Sequence, residues 1–282
     1  MDAGLFWYNA AWNDQENCGG GEDMEDFTII KADGNAVSCR KEIPLDPKGI
    51  VIAIHGFTSN KDCSTYRLLM HRMPAAGYGV IGIELPGHGT GKSLQETLRI
   101  EGCLNSIAAA EQYAAEHYPG KSLFYFASSF GAFVTGIYIS KRPHLGKKAF
   151  FRSAAVNMPS LFVKKELTES DRKMLRALKE KGYFETGFDL GKPVRIYREM
   201  YHDLETTDLF SIFDASRYGD NSVMMVHGEK DTVIDPLVAK MFANRFGIPI
   251  MIMKEEGHSL SDHPETPDRV ADLAIDFFNS AM

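Results

Sequence analysis

The stretch Ser122-Leu-Phe-Tyr-Phe-Ala-Ser-Ser-Phe-Gly-Ala-Phe-Val134 leaves this chain few ways to fold. Leu123 to Ala127 is an unbroken apolar run and reads as a buried strand. Small residues follow at once, and an apolar pattern of helical spacing then continues to Ile139. Ser129 stands at the turn between strand and helix, two residues before Gly131. Such a turn is crowded, so small residues are needed where the two elements approach. Taken alone, the pattern also fits a plain strand-to-helix turn with a serine N-cap.

The rest of the chain repeats the alternation. Residues 27–30 and 36–43 read as strands joined at Asp33-Gly34-Asn35, a hairpin signal. Gly49 to Ile54 is continuously apolar, as in a central parallel strand covered on both faces. The spacing of Tyr66, Leu69, Met70 and Met73 predicts a helix over 64–76, stopped by Gly77. A strand over 78–85 leads into the loop Pro86-Gly-His-Gly-Thr-Gly91, and an alanine-rich helix over 104–118 ends at Pro119-Gly120. Further strands are expected over 148–154, 221–226 and 248–253, with helices over 236–246 and 267–281. Strand–helix alternation implies an α/β chain with an eight-stranded, mostly parallel sheet and helices on both faces.

The alternation breaks over 155–217. There Thr168-Glu-Ser-Asp171 reads as a capping-box start of an amphipathic helix bearing Met174, Leu175 and Leu178. Residues 183–201 read as a hairpin around Gly191-Lys-Pro193. This segment is expected to be an insertion into a core formed by 26–154 and 218–282. Residues 1–25, with Gly19-Gly20-Gly21 as a joint, read as a loose tail in which Trp7, Tyr8 and Trp12 stand out.

A net charge of −7 argues against nucleic acid as the main partner, and no apolar run approaches the roughly 20 residues of a membrane helix. The start lacks a basic region before an apolar one, so no secretory leader is expected. Cys18, Cys39, Cys63 and Cys103 are scattered, which favours a reducing, cytoplasmic setting and gives no ligand cluster for a metal.

In a parallel sheet the loops at the strand C-terminal ends share one edge, so groups far apart in sequence can meet there. Four such loops carry candidate chemistry: His55-Gly56-Phe57, Ser129, Asp231 and Glu256-Gly-His258. Ser128, Asp235 and His263 are the competing choices for nucleophile, acid and base. His88 and Arg152 read as structural, His227 as a strand-end residue, and Asp208 and Asp220 as solvated or capping.

The order Ser129, Asp231, His258, each after its own strand and with a His-Gly-x loop upstream, resembles the α/β-hydrolase superfamily over residues 26–282. The departure is Ala127, where the family's G-x-S-x-G pattern has glycine. The resemblance implies the α/β-hydrolase fold with 155–217 as a cap above the site. It implies Ser129 as nucleophile, His258 as base, Asp231 as acid, and the backbone N–H groups of Phe57 and Phe130 as oxyanion donors. It implies no cofactor. A cap of this size, with a helix and a hairpin, resembles that of the bacterial feruloyl esterase group and related carboxylesterases, and its aromatic residues, among them Phe162, Tyr183, Phe184, Phe188, Tyr197 and Tyr201, suit an ester of moderate size. The expected partner is a small-molecule ester, and the expected self-association, if any, a homodimer. Peptidase, thioesterase and lipase activities, and a non-catalytic binding role, remain open on the same scaffold.

Overall fold

The computed structural model describes residues 24–89, 93–162, 166–186, 193–217 and 222–280. The aromatic tail residues, Cys18, Gly91, Phe188, the turn of the expected hairpin at Gly191-Lys192 and Asp220 lie outside them.

One eight-stranded sheet organises the molecule, built from β1 (Glu25–Ile30), β2 (Ala36–Glu42), β3 (Gly49–Ile54), β4 (Tyr78–Ile83), β5 (Ser122–Ser128), β6 (Gly146–Arg152), β9 (Val223–Gly228) and β10 (Ile250–Met253). The strand order is β1-β2-β4-β3-β5-β6-β9-β10. The β1–β2 and β2–β4 pairs are antiparallel and the others parallel. β3 and β5 lie side by side in the interior, with Ile54 opposite Ala127. Their C-terminal ends therefore open at one place on the sheet edge.

Alternation along the strands sends side chains to two cores. Ile50, Ile52 and Ile54 of β3 face one core, together with α2 (Ile100–His117), α3 (Phe130–Lys141) and α8 (Pro236–Phe246). Val51 and Ala53 face the other, with α1 (Ser64–Ala75) and α9 (Thr266–Asn279). α2 begins four residues before its expected start. Gly102 lies in the added turn, where a Cβ would sit 2.8 Å from Glu96 Oε1, so the glycine lets the preceding loop pack close.

Between β6 and β9 the chain forms α4 (Met158–Phe162), α5 (Glu169–Lys181), β7 (Tyr183–Thr186), β8 (Val194–Tyr197), α6 (Arg198–Thr206) and α7 (Leu209–Ile212). The expected capping box is present: Thr168 Oγ1 accepts from the Asp171 N–H, and Asp171 accepts from the Thr168 N–H. β7 and β8 pair antiparallel, as the expected hairpin requires. Val194, Ile196, Met200 and Leu204 are buried in the first core, so this segment shares apolar packing with the sheet domain. Arg99 ties it down further, donating from Nε and Nη2 to the two carboxylate oxygens of Asp203 at 2.7 and 3.0 Å. Among the described residues no helix is long and apolar enough to cross a membrane.

Candidate active site

β5 delivers Ser129 in the left-handed region, at φ 50° and ψ −115°, a conformation costly for any residue with a Cβ. Hydrogen bonds hold it there. The Ser129 N–H donates to Arg152 O at 2.8 Å, and Ser129 O accepts from the Phe133 and Ala155 N–H groups, each at 3.2 Å. The tight approaches lie at two glycines. A Cβ on Gly131 would sit 2.1 Å from Ile54 O, and one on Gly56 would sit 3.2 Å from Ser129 Cβ. Ala127 is instead a strand residue whose methyl group is part of the core. The departure from glycine there meets no steric obstacle.

His258 lies in the loop after β10. Its Nε2 is 3.0 Å from Ser129 Oγ and its Nδ1 2.7 Å from Asp231 Oδ2. Asp231 follows β9 and is buried; its Oδ1 accepts the Val233 and Ile234 N–H groups at 2.8 and 2.9 Å. Burial opposes charge on this carboxyl, but hydrogen bonds from His227 and His258 outweigh it and hold the group well below the usual carboxylate range. An ionised Asp231 only accepts, so His258 carries its proton on Nδ1 and leaves Nε2 free to accept from the serine hydroxyl.

The His258 loop is itself anchored. The buried Glu256 carboxylate accepts at Oε1 from the Thr266 hydroxyl, His263 Nδ1 and the His263 N–H at 2.6, 2.8 and 3.1 Å. Its Oε2 accepts the Asp262 N–H at 3.0 Å. Ser153 Oγ donates to His258 O at 2.7 Å. Among the described residues, the non-glycine residues with positive φ are Thr58, Ser129, Ser153, Glu255 and Leu260, all in loops at this edge. Backbone strain therefore concentrates where the side chains converge.

Phe57 follows Gly56, and its ring meets that of Phe130 edge-on, with centroids 5.5 Å apart. Phe130 is the first residue of α3, where N–H groups have no intrahelical partner. His88 has the structural place expected of it. Its Nε2 accepts the Thr58 N–H at 3.1 Å and its Nδ1 donates to Pro86 O at 2.9 Å. Burial, reinforced by the neighbouring His55, pushes its pKa down to about 3, so the ring stays neutral. A cleft of about 230 Å³ opens beside the Asp231 loop, lined by Asn157, Ser160, Leu161, Val233, Ile234 and Val238 among others. Among the described residues no group of three or more His, Cys, Asp or Glu side chains is placed to hold a metal ion.

A hydroxyl bonded to a neutral imidazole nitrogen, with the opposite N–H held by a buried carboxylate, is an arrangement that can generate a serine nucleophile. The family described as Serine aminopeptidase, S33, matches residues 45–188, about half of the chain and the part that holds Ser129. The chain is an α/β-hydrolase of this family. Solved structures share the hydrolase's fold at low identity. Est1E from Butyrivibrio proteoclasticus, with ferulic acid bound, is 16% identical at a TM-score of 0.71, covering 89% of this chain and 99% of its own. A thermostable carboxyl esterase from Bacillus coagulans, in complex with glycerol, is 14% identical at 0.66, covering 92% and 99%. An esterase domain from Rhodothermus marinus is 16% identical at 0.65, covering 90% and 97%. No curated protein matches the chain.

In the hydrolase, Ser129, Asp231 and His258 come together, and the competing residues do not join them. His263 is engaged by Glu256. Asp235 accepts the Leu237 N–H as the N-cap of α8, and Asp208 caps α7 through the Phe210 N–H. Ser128 ends β5 opposite Arg152 in the sheet. Arg152 is buried, and burial lowers its pKa; Asp231 and Glu256 are among the groups whose charge it feels. Sequence reasoning passed over Glu256 and gave His227 no role at the site. His227 stands four residues before Asp231 at a strand end, and that spacing is the signal that marks it.

Proposed function

We propose that this hydrolase is a serine carboxylesterase acting on small to medium carboxylic esters, aromatic esters included. The observation that carries the reading is the unbroken chain from Ser129 Oγ through His258 to Asp231, at 3.0 and 2.7 Å. Ser129 attacks the acyl carbon as His258 Nε2 takes its proton, and the Asp231 carboxylate stabilises the imidazolium that forms. The N–H groups of Phe57 and Phe130 receive the oxyanion. His258 then protonates the departing alcohol, and a water activated by the same nitrogen releases the acid. Residues 155–217 act as a cap, and its aromatic residues shape the pocket for the ester. The fold likeness to Est1E, seen with ferulic acid, supports hydroxycinnamoyl esters as the first class to test.

The test is turnover of a p-nitrophenyl ester series and methyl ferulate, with wild type beside Ser129→Ala. Activity that falls by about 10⁴-fold or more in the variant is expected. Equal rates in the two proteins would remove Ser129 from the mechanism. The family description favours a second reading, cleavage of an amino-terminal peptide bond. Amino-acyl p-nitroanilides in the same assay separate the two by their relative kcat/KM.

A further inference from the structure

We infer that His227 is a positioning residue, a second donor that fixes how the Asp231 carboxylate faces His258; this rests on Asp231 being the acid in the reaction proposed above. His227 is the penultimate residue of β9 and is fully buried. Its Nε2 lies 3.0 Å from Asp231 Oδ2 and 3.0 Å from Ile234 O. Both neighbours are acceptors, so Nε2 carries a proton; it donates to Ile234 O, and Asp231 Oδ2 stands at the same distance beside it. Its Nδ1 is buried with no hydrogen-bond partner. A proton there would be a buried donor with nothing to accept it, so the geometry satisfies the Nε2–H form.

Asp231 Oδ2 thus lies within 3.0 Å of two imidazole nitrogens, one on β9 and one in the loop after β10, and Oδ1 accepts two backbone N–H groups of its own turn. The His227 ring also stands between the carboxylate and Ile234 O, at the far side of that turn. The other charged groups facing this corner are Arg152 at the end of β6 and Glu256 after β10. Glu256 is occupied by donors of its own loop and of the first residue of α9. His227 is therefore the donor that shares Asp231 Oδ2 with the base. Each donor takes up part of the carboxylate's negative charge. With His227 in place, Asp231 is well oriented but pulls less strongly on the His258 proton. Without it, the carboxylate is looser and the imidazolium is better stabilised.

The test compares His227→Phe, which removes the donor, with His227→Gln, whose amide restores one near Nε2. The assay is the pH dependence of p-nitrophenyl ester turnover. In the Phe variant kcat should fall about 10-fold with KM within about two-fold of wild type. The acid limb of kcat/KM should move up by about half a pH unit. The Gln variant should recover most of both. Normal kcat and an unmoved limb in the Phe variant, or no recovery in the Gln variant, would overturn the inference. ¹⁵N NMR of histidine-labelled wild type needs no variant: the Nε2–H form of His227 is expected, and the Nδ1–H form would refute it. Full activity in Ser129→Ala would instead sink the underlying reaction, which keeps the two failures distinct.

Discussion

Replacing Glu256 by glutamine tests whether the loop that carries His258 is held by one buried charge. The carboxylate accepts two side-chain and two backbone donors. In Glu256→Gln the amide oxygen can stay with the three donors at Oε1, which leaves the amide NH2 facing the Asp262 N–H. One hydrogen bond is lost and a buried N–H is left unpaired, at about 1–3 kcal/mol. The remaining bonds lose their charge assistance, adding about 1 kcal/mol. For a domain of this size the sum corresponds to a fall in Tm of about 5–10 °C, and the looser His258 should lower kcat about 10-fold. The pH dependence gives the sharper check. Burial opposes the charge of Glu256, but the donors outweigh it and lower its pKa from 4.5, so its contribution is complete above about pH 4.5 and is lost as pH falls through the folded value. The hydrogen bond to Glu256, against a small opposing effect of burial, raises the pKa of His263 from 6.5. Its contribution is complete below about pH 6.5 and is lost as pH rises through the folded value. The Tm difference between wild type and variant should therefore be widest between about pH 4.5 and 6.5 and should shrink toward pH 3. Melting curves read by circular dichroism measure it. A difference below about 1 °C, or one that stays constant from pH 3 to 8, would refute the reasoning.

Other substitutions probe the elbow and the insertion. Gly131→Ala should cost about 3 kcal/mol or prevent folding, because the new methyl meets the Ile54 carbonyl at 2.1 Å rather than a movable side chain; chemical denaturation measures it. Ala127→Gly should cost about 1 kcal/mol through backbone entropy and leave turnover unchanged; a loss of turnover would mean that the methyl group positions Ser129. A double-mutant cycle on Arg99→Ala and Asp203→Ala should give a coupling of about 0.5–1 kcal/mol that weakens in high salt, since the pair is partly exposed.

Strands such as Gly49–Ile54 were legible because a strand covered on both faces has no polar residue to spare, and the loops that follow then had known neighbours. The Ser129, Asp231 and His258 positions were legible because each follows an apolar run that reads as a strand. The short helices Met158–Phe162 and Leu209–Ile212 were not, because a few residues are too short for a period to show. β10 starts two residues later than its apolar run because Ile248 still serves the end of α8, donating its N–H to Ala243 O. Glu256 was illegible in its present role, and the spacing of His227 from Asp231 was the one signal for the other. A lone glutamate in a loop and a histidine at a strand end look the same whether they face water or the polar groups of a folded-back turn.

The pairing of β6 with β9, from Ala149 opposite Val223 to Arg152 opposite Val226, joins the half of the chain that holds Ser129 to the half that holds Asp231 and His258. Synthesis runs from the first half to the second, with the insertion made in between. A nascent chain that has finished the elbow holds a serine with neither imidazole nor carboxylate beside it, and its hydroxyl is no better a nucleophile than any other. In the proposed reaction Ser129 is activated only when β9 and β10 complete the sheet and bring Asp231 and His258 to it. On the reaction proposed for it, a ribosome-bound chain or a truncated product that stops at the insertion lacks both Asp231 and His258 and holds an unactivated serine, so that reactivity would be withheld until the last strands have docked.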